Sequence, residues 1–202
     1  SMVTTASPTY IRFDVQITGR SAHAGVEPEK GLSAIKIAAD IIGNLPQGRL
    51  DNETTINIGS ISGGSVRNTV PEEAMFSGEF RSRSTETLDL LRLQITNALD
   101  AARKQYKDAK IVEDLNVDFH TYTLPNDHEM VQRASQVLGN IDLTPHLGPT
   151  GGGTDANVFN RRGIPSVVVG MSTNLMHTNR EYVDIPDLIN TARFCQALLI
   201  SR

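Results

Sequence analysis

Tyr10-Ile11-Arg12-Phe13-Asp14-Val15-Gln16-Ile17-Thr18 alternates without a break: Ile11, Phe13, Val15 and Ile17 fall on one side, Arg12, Asp14, Gln16 and Thr18 on the other. A period of two sustained over this length predicts a half-buried strand. The loop Gly19-Arg20-Ser21-Ala22-His23-Ala24-Gly25 follows. Pro28 then reads as a first-turn residue of a helix, with Leu32, Ile35, Ala39 and Ile42 as its apolar stripe and Pro46 as its stop. Residues 54–61 read as a second strand with Ile56 and Ile58 to one side. After Gly63-Gly64-Ser65, Asn68 and Pro71, residues 74–83 read as a third, in which Phe76, Gly78 and Phe80 share a face. Ser84 or Thr85 caps a second helix, with Glu86 near its positive end and Lys104 and Lys107 near its negative end. Its stripe is Leu88, Leu91, Ile95, Leu99 and Ala102. Leu115, Val117 and Phe119 then alternate with Asn116, Asp118 and His120 in a last strand. Strand, helix, strand, strand, helix, strand is the order of the ferredoxin-like β-α-β-β-α-β unit, a four-stranded antiparallel sheet with two helices on one face. It assigns residues 10–124 to one domain.

From residue 125 the pattern changes. A helix near residues 127–138 precedes the turn Gly148-Pro149-Thr150-Gly151-Gly152-Gly153-Thr154-Asp155. Ile164-Pro165-Ser166-Val167-Val168-Val169-Gly170 reads as a buried strand, and residues 186–200 as a final amphipathic helix. One or two strands and three helices do not cover both faces of a sheet, so residues 125–202 read as an incomplete α/β segment of a larger domain. The fold class expected of the whole is α+β.

The chain's 202 residues suit one large or two small domains, and 39% hydrophobic with 21% charged residues is ordinary for a globular protein. A net charge of −4 argues against nucleic acid, whose phosphates need a basic face. The single cysteine, Cys195, excludes an internal disulfide framework and, beside Phe194 and Leu198, reads as a buried structural thiol. With no apolar run long enough for a membrane and no signal peptide, the expected location is cytoplasmic. Ser1-Met2 reads as a remnant of cloning, and no internal repeat is present.

Gly151-Gly152-Gly153-Thr154-Asp155-Ala156-Asn157, followed by Met176-His177-Thr178-Asn179-Arg180-Glu181-Tyr182, resembles the C-terminal half of the peptidase T-like zinc metallopeptidases. These belong with the two-zinc aminoacylases, carboxypeptidases and dipeptidases. The loop at residues 19–25 resembles the lid loop of the same enzymes, and together the matches span essentially the whole chain as a lid plus the last part of a catalytic domain. The resemblance implies zinc as cofactor, two ions in the complete enzyme, a short peptide as substrate and a homodimer formed through the lid. It makes His177 a metal ligand, where the residues alone more readily describe a loop histidine bonded to backbone. It makes His23 a catalytic donor to the oxygen that becomes negative, often in the partner's site. Such a donor is worth roughly 100- to 1,000-fold in rate. Asn68 and Arg81 then bind substrate backbone or carboxylate, the Arg fork donating two parallel hydrogen bonds, with Arg83 as the alternative to Arg81. Gly153 and Thr154 line the substrate pocket, and Asp155 caps the helix. The backbone N–H groups of the Gly run suit an anion, but no Lys-Ser/Thr follows as a nucleotide loop requires.

A catalytic zinc needs at least three protein ligands. In the family the others lie in an N-terminal segment, as a His-x-Asp pair, a bridging Asp and adjacent glutamates that include the general base. None of the five histidines here begins a His-x-Asp. The chain alone is therefore expected to hold no stoichiometric zinc and to hydrolyse no peptide. Two further readings stay open: an amidohydrolase of the same group acting on N-acyl amino acids, and a non-catalytic dimerisation module.

Overall fold

In the computed structural model, which describes residues 1–170 and 172–200, the chain opens with β1 (Met2–Ser7) and continues into the alternating stretch as β2 (Thr9–Thr18). The last two residues of the expected 125–202 segment lie outside the described residues. Next come α1 (Ala34–Gly43), β3 (Gly48–Arg49), β4 (Thr55–Gly63), β5 (Glu73–Ser82), α2 (Thr85–Gln105) and β6 (Lys110–Phe119). Residues Thr9–Phe119 form one compact unit; Ser1–Pro8 and His120–Arg202 form another.

The first unit is an antiparallel sheet in the order β3-β4-β5-β2-β6. β2 pairs with β5 from Thr9↔Ser82 to Thr18↔Glu73, and with β6 along its other edge. This register places Ile11 opposite Phe80, Phe13 opposite Gly78 and Val15 opposite Phe76. Phe13, Phe76 and Phe80 are fully buried, each contributing about 1.5–3 kcal/mol. A Cβ at Gly78 would lie 2.4 Å from Phe13 Cζ, so only glycine leaves room for that ring. Ile37 and Ile41 of α1 share a core with Leu91, Ile95 and Leu99 of α2, so both helices cover the same face. The ferredoxin-like order is present, with β3 as a two-residue addition along the edge of β4.

The first helix differs from expectation. Pro28 opens a 3-10 turn (Pro28–Lys30), and α1 starts only at Ala34, where the Ser33 hydroxyl accepts from Lys36 N–H at 3.2 Å. Its buried stripe is Ala34, Ile37, Ala38 and Ile41 rather than Leu32, Ile35, Ala39 and Ile42. The cause is Leu32, whose N–H and carbonyl are both bonded to Arg20 across an antiparallel bridge, which holds it out of any helix. The second helix follows the sequence closely: Ser84 caps α2 by accepting from Thr87 N–H at 3.1 Å, and Leu88, Leu91, Ile95, Leu99 and Ala102 are its buried residues.

The second unit adds β7 (Tyr122–Thr123), α3 (Glu129–Asn140), β8 (His146–Pro149), α4 (Asp155–Arg161), β9 (Val168–Val169), β10 (Thr173–Asn174), β11 (Tyr182–Val183) and α5 (Ile185–Ile200). Its sheet is built on β1, which pairs with β7 antiparallel, β8 parallel and β9 antiparallel. Met2 pairs with His146 and the Ser1 ammonium donates to the Thr144 carbonyl at 2.9 Å, so both residues take part in this edge of the sheet. β1 escapes sequence reading because residues 3–7 are all buried, three of them Thr or Ser, and buried runs of that kind show no alternation. Residues 120–124 belong to this unit, which is richer in strands than the one or two expected. Its core gathers Val3, Tyr122, Val131, Val137, Leu138 and Phe194. Cys195 is exposed, not buried: α5 gives the core Phe194, while Ile185, Leu188, Leu199 and Ile200 are also open.

The parity of the first sheet is testable by paired substitutions on β5. Phe76→Ala is expected to lower unfolding free energy by about 3–5 kcal/mol in urea titrations. Met75→Ala, on the open face and 42% exposed, is expected to stay within about 0.5 kcal/mol. Equal losses at the two positions would contradict the register.

Candidate functional site

Two loops of the first unit leave the same end of the sheet. Gly19 N–H bonds the Glu72 carbonyl at 2.7 Å, Val70 N–H the Ala22 carbonyl at 2.9 Å and Ala24 N–H the Asn68 carbonyl at 3.0 Å. His23 lies opposite Thr69 in an isolated antiparallel bridge. The structure thus brings together His23 and Asn68, which the sequence could only name separately. Arg20, which sequence reading left without a role, holds the loop: its Nε donates to the Lys30 carbonyl at 2.6 Å.

The His23 side chain is exposed, and its Nδ1 accepts from Gly25 N–H at 3.2 Å. A neutral imidazole whose Nδ1 accepts carries its proton on Nε2, so the group is oriented as a donor. A cleft of about 690 Å³ opens in this region of the unit, lined among others by Ser21, Gly64, Ser65, Thr69, Glu72 and Met75.

Arg81 is not part of this cluster. It lies eight positions beyond Glu73 on β5, about 27 Å away at roughly 3.4 Å per residue. There Nε meets Glu79 Oε2 at 2.8 Å, and the guanidinium sits 4.6 Å from the centroid of the Tyr10 ring, which stacks on Phe119. Arg83, the alternative, pairs with Glu53 at 2.9 Å.

In the second unit, Thr154 rather than Asp155 caps α4. Its Oγ1 accepts from Ala156 N–H at 3.3 Å while Asn157 Oδ1 accepts from Thr154 N–H at 3.0 Å, a reciprocal capping box. Gly152 N–H bonds Thr150 Oγ1, and Asn157 N–H bonds the Thr154 carbonyl. Four amides of this turn are therefore engaged internally, which removes most of the anion-binding capacity expected of it. A Cβ on Gly151 would meet nothing within 4 Å, so packing inside the chain does not demand glycine there. Gly153 and Thr154 are exposed beside this bare backbone.

His177 lies on the loop between β10 and β11 with φ of 65°, and Ser172 and Leu175 are also left-handed at 60° and 53°. Each such residue costs of order 1–3 kcal/mol, so the loop shape is imposed by its surroundings. Glu181 Oε2 accepts from His177 N–H at 2.8 Å and Thr178 Oγ1 donates to the Leu175 carbonyl at 2.8 Å. Among the described residues no three His, Cys, Asp or Glu side chains group as a metal site. A single imidazole, His177, does not by itself make a zinc site.

A family model described as a peptidase dimerisation domain matches residues 5–107, and one described as M42 glutamyl aminopeptidase matches residues 68–194. A tripeptidase structure from Staphylococcus aureus superposes with a TM-score of 0.86 at 28% identity, over 98% of this chain and 52% of its own. The chain belongs to the peptidase T-like metallopeptidases. Within that family it is also similar to the structure of aminopeptidase PepT from Bacillus cereus, with a TM-score of 0.81 at 34% identity, over 98% of this chain and 52% of that one. A Bacillus subtilis (strain 168) protein, YqjE, is 35% identical over 194 residues, 96% of this chain and 52% of its own length. The chain spans about half the length of the curated relatives it matches. Peptidase and hydrolase relatives place it in a hydrolase family.

His120, at the start of the second unit's longer segment, has its imidazole pKa lowered from 6.5 by burial and by the Arg161 charge. The unfolded chain thus binds this proton more readily than the folded one. The contribution of His120 is present above pH 6.5 and is lost as pH falls below it. An NMR titration of the His120 ring is expected to give a midpoint below 6.5, moving upward in Arg161→Gln. A midpoint at or above 6.5 would contradict this environment.

Proposed function

We propose that this chain is the lid and the C-terminal catalytic segment of a zinc-dependent exopeptidase, of tripeptidase or aminopeptidase type, that acts on short peptides as a homodimer. The observation that carries the proposal is the placing of His23 with Asn68 at one end of β5 and Arg81 near the other. An extended tripeptide spans about 10 Å, against the roughly 27 Å between those ends, so one bound peptide does not reach both. A site that uses all three takes His23 and Asn68 from one copy and Arg81 from another. In it, His23 Nε2–H donates to the carbonyl oxygen as it turns negative, Asn68 holds substrate backbone and Arg81 its carboxylate. Gly153 and Thr154 line the pocket. His177 supplies one zinc ligand, and the others come from the half of the relatives' length that this chain does not span. Two zinc ions bound there would supply the activated water.

Several features support this assembly. Leu188, Ile189, Leu199 and Ile200 of α5 are exposed. The exposed apolar residues of α5 mark a surface suited to covering by a further segment. In the first unit β3 covers only Thr55 and Ile56 of β4, which leaves the uncharged run Gly59-Ser60-Ile61-Ser62-Gly63 on an outer edge. The opposite edge strand, β6, carries Lys110, Glu113, Asp114 and Asp118. Charges blunt sheet edges, so β4 is the edge suited to a second copy. No helix of the described residues is long and apolar enough to cross a membrane, and cytoplasmic residence is part of the proposal.

In a full-length protein carrying this chain, His23→Ala and His177→Ala are each expected to abolish peptide hydrolysis. Randomly mixed, the two variants are expected to recover about a quarter of wild-type activity, because half the two-fold dimers then hold one complete site. No recovery at any ratio would place His23 in its own subunit's site or outside catalysis.

The 202-residue chain itself is expected to retain less than one zinc after dialysis, since one exchangeable imidazole fixes no coordination geometry. Two ions bound per chain, measured by atomic absorption, would overturn the assignment of ligands to another segment.

A further inference from the structure

Asn157 is 1% exposed, and its Oδ1 and both Nδ2 hydrogens are hydrogen-bonded. Its Oδ1 accepts from Thr154 N–H at 3.0 Å and lies 3.0 Å from Ser7 Oγ. Its Nδ2 donates to the Pro8 carbonyl at 3.3 Å and to the His120 carbonyl at 2.8 Å. Pro8 and His120 are the last and first residues of the second unit on either side of Thr9–Phe119, so the two crossover strands end on one amide. The other side of that amide holds the turn containing Gly152 and Thr154. Ser7 Oγ also reaches the Gly152 carbonyl at 2.9 Å, and Thr121 Oγ1 donates to the Ser7 carbonyl at 2.7 Å.

We infer that Asn157 is a positioning residue that couples the crossover strands to the Gly-rich loop, so that order at one requires order at the other. A torsional change at Pro8 or His120 draws a carbonyl away from Nδ2 and leaves a buried donor unmet. The amide then turns to recover a partner, and Oδ1 moves off Thr154 N–H and Ser7 Oγ. The coupling belongs to the second unit by itself and holds whatever the loop binds. The capping box explains half of this arrangement, since it needs only the acceptor. The two donors, aimed at the crossover carbonyls, have no part in capping.

The test separates the two halves of the amide in the 202-residue chain. Asn157→Asp keeps an acceptor for Thr154 N–H and Ser7 Oγ and removes both donors. Amide hydrogen exchange at pH 7.5 is expected to quicken by about tenfold or more in residues 119–123. With coupling, it also quickens several-fold in residues 150–155, although the loop's own acceptor is kept. Val131→Ala, in the same core, serves as the comparison for a general loss of stability. A change in 119–123 with residues 150–155 unmoved would overturn the inference, as would a pattern matching that of Val131→Ala. If Asn157→Asp does not fold, Ser7→Ala releases the Gly152 side instead. Coupling then predicts faster exchange in both segments, and a change confined to 150–155 refutes it.

Discussion

β2 has a hydrogen-bonded neighbour on each edge along nearly its whole length, and its parity is imposed on the rest of the first unit. A slip of one residue against β5 would turn Phe76 and Phe80 outward and bring Met75, Ser77 and Glu79 against the helices. The fixed register also decides where chemistry stands. Tyr10 lies opposite Arg81 on the open face, so the guanidinium is held over a ring and beside Glu79 instead of in the core. At the other end Thr18 lies opposite Glu73, and the loops that continue from those residues must emerge side by side. The meeting of His23 and Asn68 is a consequence of antiparallel pairing, not of any attraction between the two side chains.

Legibility followed periodicity. β2, β5 and α2 carry unmixed signals of two or 3.6 residues, and their faces in the structure are those read from sequence. α1 failed where a long-range bridge between Arg20 and Leu32 overrode a local apolar pattern. β1 failed because a strand buried on both sides, and built partly of Thr and Ser, has no polar face to alternate with. For the site, residue types pointed to loops but not to distances. Asn68 and Arg81 look like neighbours thirteen residues apart, and only the course of β5 shows that a strand's length lies between His23 and Arg81. Asn157 gave no signal beyond its place in a Gly-rich motif, because its partners, Ser7, Pro8 and His120, are remote in sequence.

The two units set their candidate groups by different physical means. His23 is oriented by backbone: the amide of Gly25 selects its tautomer, and the bridge to Thr69 fixes its place, with no unusual torsion required at His23. His177 is presented by a strained backbone that the Glu181 carboxylate holds by accepting from its amide. Both arrangements are set by hydrogen bonds within the chain, and groups fixed in that way are the kind that give electrostatic help with little reorganisation. The difference lies in what each lacks. Under the proposed reading the His23 loop presents its hydrogen-bond donor without help from other residues of the site. His177 is a single donor atom, and a single imidazole leaves both the geometry and the charge of a metal site to be set by other ligands. In the proposed site this chain would therefore contribute to stabilising developing charge and would leave the nucleophile to other residues, a division that follows from which groups the backbone alone can aim.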